Sequence, residues 1–235
     1  MTTIFYSTNI NNNVAILEEE EAIHCVQVLR KKNGDTITLT DGKGFFYEGI
    51  IIRDSKKRCE IQIVKSDFTE QSAPKIHIGI APTKNIERIE WFLEKATETG
   101  ISEVSFLQCH HSERQVVRID RLEKVVISAM KQSMQPYKPI LNEMCKLKMF
   151  LSRVAASEAQ KFIAHLPSSD DSLLKNAYQN NRDVIILIGP EGDFSDDEVN
   201  LIHSKNFTSV SLGKTRLRTE TAALLACHSI NFLNQ

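Results

Sequence analysis

Short apolar segments alternate with longer helical segments from residue 76 to the end of the chain, and this alternation is the feature that most constrains the fold. One helical segment, Asn85–Thr99, places Ile86, Ile89 and Leu93 on one face and ends at Gly100. The predicted strands are Ile76–Ala81, Val104–Leu107, Phe162–Leu166, Val184–Ile188 and Ser209–Leu212. Strands that alternate with helices in this way predict an α/β domain with a mostly parallel sheet.

The first 65 or so residues are instead β-rich. Strands are predicted at 36–40, at 45–52 after the turn sequence Asp41–Gly44, and at 59–64, with a helix over 18–29 before them. The polar stretch 66–74 is predicted to be a linker. We therefore expect a small antiparallel sheet or barrel over residues 1–68 and the α/β domain over residues 75–235.

Composition narrows the class of protein. With 41% hydrophobic and 25% charged residues, the chain is typical of a globular protein. No apolar run approaches the roughly 18 to 20 residues that span a membrane, and the first residues lack a secretion signal. Five scattered cysteines suit reduced thiols, so a cytoplasmic location is expected. The net charge of −1 excludes a global positive field, so any nucleic acid must be bound through local patches.

The segment 184–198 is the most informative. A buried strand runs into the turn Gly189-Pro190-Glu191-Gly192 and then into a helix that Ser195 and Glu198 are predicted to begin as a capping box. Capping explains the acidic residues after Ser195 better than a metal site does. Two glycines at the carboxyl end of a strand, where α/β sheets bind ligands, let the backbone approach a ligand closely.

The segment 210–233 repeats the arrangement of strand, glycine turn and helix, with Thr219 as the predicted N-cap. Residues Ala222–Leu233 are apolar nearly all round, which predicts a helix buried in the domain or in a subunit interface. Arg218, just before this helix, needs an anionic partner or a ligand.

Familiar phosphate-binding and metal-binding patterns are absent. The chain has neither Gly-x-x-x-x-Gly-Lys-Ser/Thr nor Gly-x-Gly-x-x-Gly, so triphosphate and dinucleotide sites lose their usual support. Cys109-His110-His111 lacks a further ligand cluster, and we expect no metal.

Together the motifs resemble one family over essentially the whole chain. They are His24, 28–30, 41–44, Lys84, 95–100, 112–114, 129–133, Gly189-Pro-Glu-Gly192 and Leu217-Arg-Thr-Glu-Thr-Ala222. The last two, in this order and spacing, resemble the RsmE-type 16S rRNA (uridine-N3)-methyltransferases of the SPOUT superfamily.

The resemblance implies a PUA-like N-terminal β-barrel domain and a C-terminal SPOUT domain with a trefoil knot, whose loops hold S-adenosylmethionine. It implies a homodimer with 16S rRNA or the assembled small ribosomal subunit as partner. The implied cofactor-binding residues are His165, Leu166, Ile188, Gly189, Pro190, Glu191, Gly192, Leu212, Gly213, Leu217, Arg218, Thr219, Thr221 and Ala222.

Methylation of uridine N3 requires loss of the N3 proton or stabilisation of charge on the flanking carbonyls. Arg218 cannot act as a base, but its guanidinium can stabilise an oxyanion. Glu191 and Glu220 are the nearby acids that could accept the proton. These three residues are the predicted catalytic set, and the choice between the two glutamates is open.

RNA contacts are predicted at local basic patches, and the residues assigned to them are Arg30, Lys31, Lys84, Arg114, Arg118 and Arg121. The family usually has glutamate where this chain has Lys131 and often arginine where it has Gln135. Two other functions stay open: an inactive RNA-binding ribosome-assembly factor of the same fold, and a SPOUT methyltransferase acting on transfer RNA.

Overall fold

The computed structural model describes residues 3–71, 74–165 and 172–235. These residues form two compact units. The first comprises residues 3–71 with 127–138, and the second comprises the remaining described residues. The predicted domain limits, 1–68 and 75–235, stay predictions, and grouping of residues 127–138 with the N-terminal part was not expected from the sequence.

The first unit is built on a six-stranded sheet of order β1-β4-β5-β6-β3-β2. Its strands are β1 (Ile4–Tyr6), β2 (Ile10–Asn11), β3 (Val14–Glu18), β4 (Thr36–Thr40), β5 (Phe45–Asp54) and β6 (Arg58–Phe68). Strands β1 and β4 are parallel, and the other pairs are antiparallel. Helix α1 (Glu19–Ile23) continues as a π-helical segment, His24–Val28, where one long helix was predicted.

Two features of this unit bear on the sequence predictions. Strand β6 continues to Phe68, opposite Phe45 of β5, so residues 66–68 belong to the sheet and not to the predicted linker. The sequence did not indicate a strand over residues 66–68 because their side chains are mostly polar, and backbone pairing with β5 holds them in the sheet. Lys131 forms an ion pair with Glu21, whose other carboxylate oxygen accepts the backbone N–H of Tyr6 at 3.2 Å. Lys131 therefore serves a contact within the protein.

The second unit contains a parallel six-stranded sheet of order β12-β10-β11-β7-β8-β9. Its strands are β7 (Ile76–Ile80), β8 (Glu103–Gln108), β9 (Ile140–Lys146), β10 (Gln160–Ala164), β11 (Val184–Ile188) and β12 (Thr208–Val210). Its helices are α2 (Ile86–Glu98), α4 (Leu147–Arg153), α5 (Leu174–Ala177), α6 (Asp196–His203) and α7 (Thr219–Leu233). Helix α3 (Ile119–Ser133) runs across the division between the units at Val126.

Alternate residues of the central strand β11 belong to two separate apolar clusters in the core of this unit. In β11, Ile186 and Ile188 join an apolar cluster that includes side chains of α2 and α7, whereas Ile185 and Leu187 join a second cluster with side chains of α4. All five residues of β11 are buried. A strand buried on both faces is what a parallel sheet with helices on both sides requires, and the predicted α/β class is confirmed.

Candidate active site at the ends of β10, β11 and β12

A cavity of about 440 Å³ lies where the adjacent strands β12, β10 and β11 end. Three segments that follow these strands line it, together with the first residues of α7 and one residue of α2. The lining residues are Arg88, Ala164, His165, Ile188, Gly189, Pro190, Glu191, Asp193, Val210, Ser211, Leu212, Gly213, Thr215, Arg216, Leu217, Arg218, Thr219 and Ala222. Ligands of open α/β sheets bind at this carboxyl edge, where the strand order departs from the chain order.

The turn after β11 is held by its own hydrogen bonds. The N–H of Asp193 donates to the carbonyl of Pro190 at 2.9 Å, and Asp193 adopts a left-handed conformation with φ of 63°. Ser195 then begins α6 with both bonds of the predicted capping box, which the structure confirms. The acidic residues that follow therefore have a structural role, and Gly189 and Pro190 line the cavity.

The turn after β12 presents main chain to the cavity. The hydroxyl of Ser211 donates to the carbonyl of Gly213 at 2.9 Å and accepts the N–H of Gly213 at 3.2 Å. Gly213 has a φ of 140°, which L side chains rarely adopt, and no atom lies within 4 Å of where a Cβ would be. Glycine is therefore required here by backbone conformation and leaves the main chain open to a ligand.

The start of α7 differs from the prediction in one respect. The N-cap is Arg218, and Thr219 is the first helical residue, so the prediction of Thr219 as N-cap is wrong. Its hydroxyl is occupied elsewhere, because it donates to the carbonyl of Gly189 at 3.1 Å in a buried contact. This bond ties the beginning of α7 to the turn after β11, so two sides of the cavity are linked directly.

Most predicted cofactor-binding residues meet at this cavity. Those that line it are His165, Ile188, Gly189, Pro190, Glu191, Leu212, Gly213, Leu217, Arg218, Thr219 and Ala222. Gly192 and Thr221 do not, and Leu166 lies outside the described residues. Sequence reasoning missed Arg88, Ala164, Asp193, Val210, Ser211, Thr215 and Arg216. Six of these adjoin or lie within the predicted segments, so treating the segments as continuous would have found them.

Arg88 could have been found only through the fold. It lies in the first turn of α2, directly after the short connection from β7, and reaches the cavity from that side. Its Nε lies 3.7 Å from Oε1 of Glu220, whose side chain is 8% exposed. The other carboxylate oxygen of Glu220 is buried without a hydrogen bond among the described residues. Arg88 lines the cavity, whereas Glu220 does not.

The other two predicted catalytic residues reach the cavity themselves. Arg218 is exposed, and the described residues offer its guanidinium no hydrogen bond or ion pair. Glu191 is also exposed, and its Oε1 accepts the backbone N–H of Lys84 at 3.2 Å, which holds the carboxylate at the rim. The guanidinium of Arg218 and the carboxylate of Glu191 are therefore both presented to the cavity.

Four of the predicted RNA-binding residues have partners within the second unit. Lys84 pairs with Glu113 at 2.8 Å, and this hydrogen bond raises the pKa of Lys84. Arg114 donates to the carbonyls of Thr83 and Lys84. Arg118 pairs with Asp120, and Arg121 pairs with Glu90. In the first unit, Arg30 is exposed and Lys31 is partly buried. None of this tests RNA binding, and all six assignments stay predictions.

The lining of the cavity suits an amphipathic, nucleoside-sized ligand. Its volume falls in the ordinary range of small-molecule sites. Ile188, Val210 and Leu212 offer apolar contact for an adenine-like ring, while glycine main chain and arginine side chains offer polar contact. S-adenosylmethionine, with its aromatic base, ribose and carboxylate, fits this donor set.

Comparison with known proteins assigns the chain to a class. The family described as RNA methyltransferase domain matches residues 69–231, and the RNA methyltransferase PUA domain matches residues 17–64. The chain therefore belongs to the RNA methyltransferase family.

Individual relatives narrow the assignment to the RsmE type and confirm the predicted resemblance. The Ribosomal RNA small subunit methyltransferase E of Rickettsia conorii is 28% identical and covers 98% of this chain and 95% of its own length. The crystal structure of a probable rRNA-methyltransferase from Porphyromonas gingivalis has a TM-score of 0.89 at 39% identity, covering 99% of this chain and 98% of that one. The Neisseria gonorrhoeae Ribosomal RNA small subunit methyltransferase E, bound to S-adenosyl methionine, has a TM-score of 0.86 at 27% identity and covers 100% and 98%.

The described residues hold neither a membrane-spanning helix nor a cluster of metal ligands. No helix there has the length and apolar character to cross a membrane. No three histidine, cysteine or acidic side chains are grouped there as metal ligands would be, and the expectation of no metal stays a prediction.

Proposed function

We propose that this protein uses S-adenosylmethionine to methylate N3 of a uridine in the 16S rRNA of the small ribosomal subunit. The observation that carries the proposal is the convergence of Gly189–Glu191, Ser211–Gly213 and Leu217–Thr219 on one cavity at the carboxyl edge of the sheet. The names of the relatives supply the substrate class, and the relative bound to S-adenosyl methionine supplies the cofactor.

Different cavity residues would contact different parts of the cofactor. Ile188, Val210 and Leu212 would pack against the adenine, and the main chain of Gly189 and Gly213 would approach the polar parts. When bound, S-adenosylmethionine supplies an electrophilic methyl group on its sulfonium. The protein's task is then to hold the acceptor nitrogen in line with that methyl, and positioning of this kind removes much of the barrier.

Arg218 is the proposed stabiliser of the uridine. Its guanidinium borders the cavity and is not neutralised by any described side chain, so it can donate to a carbonyl oxygen of the base as negative charge develops there. Its N-cap position at the start of α7 adds the positive end of the helix to the same region.

Between the two glutamates, the geometry favours Glu191 as the group that accepts the N3 proton, because it borders the cavity and Glu220 does not. Glu220 would act through Arg88, whose guanidinium it holds at the cavity wall. We keep Glu220 in the set as a positioning residue, and its effect on the reaction is to be measured beside that of Glu191.

The wider assembly belongs to the same proposal. The expected trefoil knot is part of this proposal, and α7 packs against α2 in the second unit. Leu225 and Phe232 of α7 are exposed, and a second copy of the chain would bury them in the expected homodimer. A ribosomal substrate supports the cytoplasmic location, and Arg30 is an exposed member of the predicted RNA contacts.

The test is to incubate the protein with labelled S-adenosylmethionine and unmodified small subunits and to map the product by mass spectrometry. We expect 3-methyluridine at one position of 16S rRNA. Arg218→Ala should reduce kcat by about 10²- to 10³-fold with little change in cofactor affinity, and Arg218→Lys should retain part of the rate. A methylated ribose or cytosine, or transfer RNA as the better substrate, would refute the assignment, and absence of any methylation would favour the assembly-factor function.

A further inference from the structure

Four aromatic rings gather at one end of the β5–β6 pair in the first unit. The ring centroids of Phe45 and Phe68 are 4.7 Å apart, and those of Phe45 and Tyr47 are 5.6 Å apart with nearly parallel planes. Tyr137 joins them, since a Cβ added to Gly44 would lie 2.5 Å from its hydroxyl oxygen and 2.7 Å from a ring carbon of Phe68. We call Phe45, Tyr47, Phe68 and Tyr137 the aromatic cluster.

The fold fixes the rings of the aromatic cluster in place. Phe45 and Phe68 are directly opposite each other across the antiparallel ladder, and Tyr47 is opposite Ser66. The hydroxyl of Tyr137 donates to the carbonyl of Thr69 at 2.9 Å, and that of Tyr47 donates to Asp41 at 3.2 Å. Because both phenol groups already have partners in the protein, what the tyrosines offer a ligand is their ring faces.

The cluster is exposed where the core no longer covers it. Phe68 is 57% exposed, and the other three rings are partly buried. A group of adjoining, partly exposed rings offers a ligand more apolar contact than Phe68 alone would offer. The rings are preorganised, so a ligand would not have to order them.

The charges beside the cluster indicate an anionic aromatic ligand. Side chains alternate along a strand, so Glu48 and Asp67 point away from the face that carries Tyr47 and Phe68. Asp41, the acid that contacts the cluster, already accepts hydrogen bonds from the N–H groups of Lys43 and Phe45 and from the hydroxyl of Tyr47. The side chain of Lys43 is exposed and has no ion pair among the described residues.

We propose that the aromatic cluster is a stacking site for an unpaired nucleotide of the RNA substrate, with its base on Phe68 and Phe45 and its phosphate near Lys43. Aromatic side chains that stack splayed-out bases beside a cation are the usual means by which proteins hold single-stranded RNA. The site shares no residue with the cavity, and its aromatic rings supply stacking groups that the sequence did not indicate.

The test measures binding of the full-length protein to a short single-stranded oligouridylate by fluorescence anisotropy. Phe68→Ala should raise Kd by about 5- to 150-fold, the range found for loss of one stacked base, whereas Phe68→Trp should bind at least as well as the parent. Val64→Ala is the matched control, because Val64 lies on the same strand and is also 57% exposed. Lys43→Gln should weaken binding and lower its salt dependence.

Several outcomes would overturn the proposal. One is an unchanged Kd for Phe68→Ala, and another is equal loss for the Ala and Trp variants. A third is weakened binding to assembled small subunits with unchanged binding to the naked oligonucleotide, which would indicate a protein partner. Thermal melts and S-adenosylmethionine titrations of each variant separate stacking from folding, since both should match the parent. A failure here leaves the cofactor cavity and its chemistry unaffected.

Discussion

The bond from Thr219 to Gly189 gives the sharpest prediction about the cavity, because it joins two of the segments that build it. Thr219→Val keeps the shape of the side chain and removes only the hydroxyl that donates to the Gly189 carbonyl. Among the described residues no other group donates to that carbonyl, so the substitution leaves a buried acceptor unpaired. An unpaired buried group of this kind lowers the free energy of unfolding by about 1–3 kcal/mol. For a unit of this size, each kcal/mol lost lowers Tm by about 2–4 °C.

Thr97→Val is the control. Thr97 is also buried, and its hydroxyl donates to the Leu93 carbonyl at 2.7 Å. That carbonyl keeps its helical partner, the N–H four residues later in α2, so the substitution should cost less, about 0.5–1.5 kcal/mol. Urea unfolding should show a larger loss of stability for Thr219→Val than for Thr97→Val. Calorimetric titration with S-adenosylmethionine should show a loss of cofactor affinity for Thr219→Val alone. Equal effects of the two variants on both quantities would refute the reasoning.

Three further predictions concern backbone strain, pH and assembly. Gly213→Ala and Gly34→Ala both place a side chain at positive φ without a clash, so each should cost about 1–3 kcal/mol, but only Gly213→Ala should raise the Kd for the cofactor in calorimetry. Burial lowers the pKa of His77 below 6.5, so the unfolded chain takes up a proton that the folded protein does not bind. The contribution of His77 to the free energy of unfolding is therefore complete above pH 6.5 and falls as the pH drops towards the folded-state pKa, by at most about 1.4 kcal/mol per pH unit. His77→Gln should flatten this slope when denaturation is measured at several pH values. Phe232→Glu, with Leu225→Glu as a second variant, should yield monomers in analytical ultracentrifugation, and unchanged dimers would remove this face of α7 from the interface.

Much of the second unit was predictable because its signals are local. The strand Val184–Ile188 was placed correctly, since five consecutive apolar residues before a glycine turn leave few alternatives. The capping box at Ser195 was also read correctly from residue types at fixed spacing. By contrast, β9 and α4 were missed, because β9 is an edge strand with polar residues among its apolar ones and α4 spans only seven residues.

The rest depends on contacts between distant residues. Arg88 lines the cavity only because the sheet order places β7 beside β11. No pattern in the sequence indicates that these two strands are neighbours. Thr219 was taken for the N-cap because threonine favours that position, yet its hydroxyl bonds to Gly189, thirty residues away. The aromatic cluster was likewise hidden, since Phe45 and Phe68 meet only through strand pairing.

A crystal structure of the protein with S-adenosylmethionine would show directly whether the cavity at the carboxyl edge of the sheet is the cofactor site. We expect the cofactor within the cavity at the ends of β10, β11 and β12, with its polar groups against the main chain of Gly189 and Gly213 and its methyl group open towards Arg218. Density for the cofactor at any other place, or a cofactor whose methyl group is sealed from Arg218 and Glu191, would contradict it.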